Sequence, residues 1–83
     1  MYEYLALSEN GFLFDARTGS TYSLNKTGTF LLRKMIDGVS PTGLPEILTE
    51  AFEVDSDAAN RDVDQFLFRL RDLKIIESRE EEE

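Results

Sequence analysis

Apolar positions along this chain change their period once. Over residues 2–24 they come in short bursts separated by turn formers, and beyond residue 25 they recur every three or four positions. YEYLAL (2–7) alternates loosely and stops at SENG (8–11), FLFD (12–15) resumes and stops at ARTG (16–19), and STYSL (20–24) is rich in Thr and Tyr. Short runs bounded by turn chemistry predict three strands, and connections this tight make them antiparallel neighbours in a meander. Gly19 is placed to supply the positive φ at the end of the second turn.

Asn25 then acts as an N-cap, its side-chain oxygen accepting from an amide of the first helical turn, and Gly38 suits the position just past a helix end. Between them KTGTFLLRKMID predicts a helix of about three turns. Leu31, Leu32, Met35 and Ile36 form its buried stripe, and Gly28 lies in line with them, where a missing side chain lets another element approach. A second helix runs from Thr42 or Gly43 to about Phe52, with Pro45 confined to its first turn and Leu44, Ile47, Leu48, Ala51 and Phe52 facing inward.

The third and longest helix is capped by Asp55 or Ser56, with Asp57 at the positive end of its dipole. Ala59, Val63, Phe66, Leu67, Leu70 and Leu73 or Lys74 gather on one side. Phe68 falls roughly 140° from Val63, on the face shared by Arg61, Asp64, Asp72 and Ile75. Ile75 and Ile76 are expected to leave the helix as a short extended end. The expected fold class is α+β: a three-stranded antiparallel N-terminal meander followed by three helices, winged-helix-like with its sheet moved to the N-terminus.

Composition narrows the chemistry. At 83 residues, 41% hydrophobic and 31% charged, the chain is expected to form a single domain over 1–77 with a thin core, followed by a solvated, disordered acidic tail, SREEEE (78–83). Cysteine and histidine are both absent, which excludes a disulfide framework, a thiolate nucleophile and a histidine base. Neither a metal site nor a cofactor is expected. The net charge is -8, and the chain stays acidic without its tail. An acidic surface repels phosphate backbones and anionic lipid, so neither nucleic acid nor membrane is an expected partner. With no long apolar run and no signal-peptide pattern, the expected location is the cytoplasm.

The third strand is the informative one. In a three-strand meander it lies at an edge, and residues 20–24 carry neither the proline nor the lysine that commonly blocks pairing. Main-chain groups there are available to a guest strand unless a loop or a second copy of the protein covers them. Tyr22 and Leu24 are expected to face the core, Thr21 and Ser23 the other side.

The same stretch, FLFDARTGSTYSLNKTGTFLL, resembles the N-terminal half of PqqD-like proteins, in which two apolar residues, Asp, two variable residues and Thr-Gly precede an aromatic, Leu-Asn and Thr-Gly. Asp15, Thr18, Gly19, Tyr22, Leu24, Asn25, Thr27 and Gly28 fall in register, as do IDG (36–38), EIL (46–48) and DVDQFLFRL (62–70), so the resemblance spans about residues 12–76. Lys74 stands where that family usually has glycine, and Leu32 where a large aromatic is frequent. The resemblance implies a non-catalytic peptide chaperone that binds the leader segment of a ribosomally made precursor peptide. It implies that the leader adds as an antiparallel strand to the third strand beside the third helix and is presented to a modifying enzyme, a radical S-adenosylmethionine protein in the pyrroloquinoline quinone case. Candidate peptide-binding residues are Ser20, Thr21, Tyr22, Ser23 and Leu24 on the strand, with Asp64, Gln65, Phe68 and Arg71 on the helix.

Other classes fit less well. Asp62 and Asp64 lie two apart on a helix and face different directions, so they do not form a catalytic pair. DGVSPTG lacks the lysine and setting of a phosphate loop, and DARTGS lacks the ligand pattern of a calcium loop. A winged-helix DNA-binding regulator would have to insert a helix carrying Asp57, Asp62, Asp64 and Asp72 against Arg61, Arg69, Arg71 and Lys74, a balance with little phosphate attraction. An assembly or homodimerisation module, using Phe68 or the open edge, remains an alternative. Phe30, expected to point outward among Lys26, Arg33 and Lys34, marks a small basic patch.

Overall fold

A computed structural model describes residues 2–77; the expected acidic tail lies outside the described residues. Strands β1 (Leu5–Leu7), β2 (Phe12–Asp15) and β3 (Ser20–Ser23) pair antiparallel in the order β1-β2-β3. Helices α1 (Lys26–Ile36), α2 (Leu44–Phe52) and α3 (Ser56–Asp72) follow, and a single 3-10 turn, Pro41–Gly43, leads into α2. This is the expected three-strand, three-helix α+β arrangement with an open sheet.

Alternation in β2 decides which face of the sheet meets the core. Leu13 and Asp15 point inward and are fully buried, whereas Phe12 and Phe14 point outward and stay 61% and 42% exposed. A period of two allows no other division: inserting either phenylalanine would expel Leu13. Asp15 is tolerated inside because Arg17, two residues on, pairs with it through Nε and a terminal nitrogen at 3.1 and 2.9 Å. Its carboxyl also accepts the Arg17 backbone N–H at 2.9 Å. The Arg17 hydrogen bonds hold the Asp15 pKa below its usual value against the opposing effect of burial.

The first strand is shorter than the expected 2–7. The Leu5 N–H bonds back to the Tyr2 carbonyl at 3.0 Å, so the preceding residues turn rather than extend. That turn sends Tyr4 to the far end of α3, where its hydroxyl donates to the Ile75 carbonyl at 2.8 Å.

Asn25 caps α1 as expected, its Oδ1 accepting from the Gly28 N–H at 2.7 Å, and Gly38, with positive φ, follows the helix end. Leu31, Leu32 and Met35 are buried and Ile36 half-buried. On α2 only Leu44 and Leu48 are fully buried; Ala51 and Phe52, expected inside, are exposed. Glu53 ends the helix in the left-handed region (φ 56°). Phe52 instead meets Phe30 edge to face at 5.2 Å. That contact corrects the outward placing of Phe30, which is half-buried with the Lys34 ammonium 5.4 Å from its ring centre. Arg33 is drawn off the basic patch too, donating to the Leu7 carbonyl at 2.6 Å.

Asp55 caps α3, accepting from the Ala58 N–H at 2.8 Å. Ala59, Val63, Leu67 and Leu70 are its buried stripe, with Phe66 half-buried at the margin. The stripe does not continue through Lys74. That residue adopts φ 64°, the Ile75 N–H returns to the Leu70 carbonyl at 2.9 Å, and the Lys74 N–H returns to Arg71 at 3.0 Å. This paired closure of a helix end places a left-handed residue just past the C-cap. Ile75 is therefore neither on the Phe68 face nor part of an extended end: the bend turns it inward to full burial, with Ile76 half-buried behind it.

Candidate functional site

Which main-chain groups β3 leaves open follows from its neighbours. The Ser8 N–H donates to the Phe12 carbonyl at 2.9 Å, so Phe12 bonds toward β1 and Leu13 toward β3, opposite Tyr22. Leu24 likewise donates back to Gly11 at 2.8 Å. In an antiparallel ladder the bonding direction alternates, so Tyr22 and Leu24 spend their groups inward while Thr21 and Ser23 direct N–H and C=O outward. Among the described residues no strand pairs with that edge.

The ends of β3 are pinned. Before it, the Gly19 N–H bonds to Asp15 at 2.8 Å, and Arg17 reaches across to the C-terminal end of α3, donating to the carbonyls of Lys74 at 2.9 Å and Ile75 at 3.2 Å. The guanidinium also lies 3.8 Å from the centre of the Tyr4 ring, and partial burial raises the Tyr4 pKa. After β3, a Cβ on Gly11 would stand 2.6 Å from the Leu24 carbonyl oxygen, so glycine is required for the chain to pass there. On the next turn a Cβ on Gly28 would lie 3.2 Å from the Phe66 ring, the close approach expected from its place in the stripe. The start of β3 thus lies beside the end of α3, and the chain just beyond β3 lies beside the middle of α3.

Between these contacts runs an open groove of about 590 Å³. Tyr22, Ser23 and Leu24 form one wall; Gln65 and Arg69 of α3, with its C-cap Leu73, form the other; Leu31, Phe66 and Leu70 make an apolar floor with Gly28. Asn25, Thr27 and Asp62 close the end nearest the α1 cap. Such a trough has room for a chain segment, with apolar surface below and polar groups along both rims.

The structure brings four of the nine candidate residues to this groove: Tyr22, Ser23, Leu24 and Gln65. Thr21 is exposed on the same edge, and Ser20 is half-buried at the strand start opposite Asp15. Asp64 and Phe68 are exposed and Arg71 half-buried, and none of the three lines the groove. Phe68 is 67% exposed, as its place off the stripe implied, but the face it occupies is not the one turned to β3. Asp62, Phe66, Arg69 and Leu73 also line the groove and were not among the candidates. Phe66 and Leu73 were assigned to the core stripe, whose edge they occupy; Asp62 and Arg69 stand seven apart, a spacing that places both on one helix face.

Three antiparallel strands followed by three helices, the third set across a groove from an open strand edge, define a small α+β domain with an open sheet. More narrowly, the chain belongs to the PqqD family, coenzyme PQQ synthesis protein D, which matches residues 10–76. It is also similar to a solved structure, "Lasso peptide synthetase B1 complexed with the leader peptide", at 30% identity and a TM-score of 0.68, over 83% of this chain and 82% of that one. No curated protein matches the chain.

Proposed function

We propose that this protein is a non-catalytic leader-peptide chaperone: it takes up the leader segment of a ribosomally made precursor in the cytoplasm and presents it to a modifying enzyme. The guest adds as a fourth, antiparallel strand beside β3, pairing with the outward N–H and C=O groups of Thr21 and Ser23. Its side chains facing α3 enter the groove over Phe66 and Leu70, between Tyr22 and Leu24 on one wall and Gln65 and Leu73 on the other. The observation that carries this reading is the coincidence of an unpaired strand edge with an adjoining apolar groove. Membership of the PqqD family and likeness to a leader-bound relative support it. The partner enzyme is of the radical S-adenosylmethionine type if it follows the pyrroloquinoline quinone case.

The test is an NMR titration with leader segments from short reading frames encoded near the gene. Slowed amide exchange at Thr21 and Ser23, with shifts along residues 22–24 and 62–73, is expected on binding. Shifts confined to the outer sheet face around Phe12 and Phe14, with no new protection at Thr21 or Ser23, would rule out strand addition.

A further inference from the structure

We propose that the groove selects guests by charge order: a basic side chain toward the guest's N-terminal end, an acidic one toward its C-terminal end, and an apolar residue between. This rests on the strand-addition reading and specifies the ligand that reading leaves open.

Direction comes first. Arg17, ahead of β3, is bonded to the carbonyls of Lys74 and Ile75 that follow α3, while Gly28, beyond β3, approaches Phe66. Helix α3 therefore runs opposite to β3 across the groove. A guest antiparallel to β3 runs in the same sense as α3 and meets Asp62 before Arg69.

Spacing comes second. Asp62 and Arg69 both line the groove and are exposed. Neither makes an ion pair with another described residue. Seven residues of helix rise about 10.5 Å at 1.5 Å per residue. Guest side chains facing α3 recur at every second position, about 6.7 Å apart, so positions p and p+4 span about 13 Å. The length and freedom of the Arg69 side chain cover the difference. Position p+2 then falls over Phe66, where the floor is apolar. The pattern is basic, any, apolar, any, acidic.

Charge complementarity at an exposed rim is weak for one pair but is expressed as a difference when the order is inverted, because two attractions become two repulsions. About tenfold in Kd is expected at low ionic strength, falling as salt is added.

Two synthetic twelve-residue peptides of identical composition test this, one carrying Lys-Thr-Leu-Thr-Glu and the other Glu-Thr-Leu-Thr-Lys at the centre of the same flanks. Affinities are read by fluorescence anisotropy, and the site by Thr21 and Ser23 amide shifts. The Lys-first peptide should bind about tenfold tighter, and the double variant Asp62→Lys, Arg69→Glu should reverse the preference; circular dichroism checks that the variant stays folded. Equal affinity for the two peptides, or a preference the double variant leaves unchanged, overturns the charge order while strand addition stands. If neither peptide moves Thr21 and Ser23, strand addition fails and the charge order with it.

Discussion

Replacing Lys74 by glycine should stabilise this protein. Lys74 sits one residue past the α3 C-cap at φ 64°, where the Cβ of an L-residue crowds the following carbonyl at a cost of about 1–2 kcal/mol. Glycine removes that cost but brings a more disordered unfolded chain, which takes back about 0.5–1 kcal/mol. Midpoint against midpoint, the net gain is about 0.5–1 kcal/mol. For a domain of this size that raises Tm by about 2–8 °C. The main-chain bonds that close the helix, Lys74 N–H to Arg71 and Ile75 N–H to Leu70, survive the change. So does the carbonyl that accepts from Arg17. Lys74→Ala is the control, because it removes the exposed charge and keeps the Cβ; it should shift stability by less than about 0.5 kcal/mol. Thermal and urea melts of the three proteins decide the matter. If the alanine variant gains as much as the glycine one, the charge and not the backbone is responsible; if glycine gains nothing, the left-handed closure of α3 is wrong.

Two further outcomes follow from the same contacts. Because Arg17 depresses the Asp15 pKa, that carboxylate contributes stability that is fully present above its unfolded value of about 3.9 and is lost as pH falls through the lower folded value. The stability difference between wild type and Asp15→Asn, taken from urea midpoints, should therefore be constant near neutrality and shrink below about pH 4; a difference flat to pH 2 would contradict the pairing. At the C-cap of α3, Leu73→Ser on the groove rim should weaken leader binding by about tenfold, the worth of a partly buried leucine. Phe68→Ser, off the groove, should leave it within about twofold; the opposite ranking by anisotropy would put the guest on the other face of the helix.

Much of this fold was legible in the sequence because its local signals agree. The Asn25 cap, the glycine after α1, the turn residues around 8–11 and 16–19 and the switch of period at residue 25 are all decided within a few residues, and the structure keeps each of them. What was not legible depends on where elements stop. Ala51 and Phe52 continue the apolar period of α2, yet they lie in its last turn and stay exposed, Phe52 meeting Phe30 edge to face. Lys74 continues the period of α3, yet the chain has already reversed. The groove suffered from the same limit. Phe66 reads as core because it lies beside the stripe, and only the approach of Gly28 shows it to be the groove floor. Phe68 stood out because it broke the pattern, but departure from a stripe does not say which neighbour the residue faces.

The Asp15–Arg17 pair links these observations. A guest strand gains most when the edge it joins is already ordered and the opposite wall of its groove is already in place, since disorder left in either must be removed on binding. Arg17 serves both walls: its pair with Asp15 braces the turn that starts β3, and its bonds to Lys74 and Ile75 hold the end of α3 to that turn. In the proposed strand addition, main-chain pairing along Thr21 and Ser23 carries little preference for sequence. Discrimination in that reading comes from the groove side, where Asp62, Phe66 and Arg69 present an acidic, an apolar and a basic position in that order along one helix face. An unguarded strand edge is ordinarily an aggregation hazard, and a second apolar surface, Phe12 and Phe14, lies on the strand next to it. Among the described residues no strand pairs with that edge, which suits the strand addition proposed above.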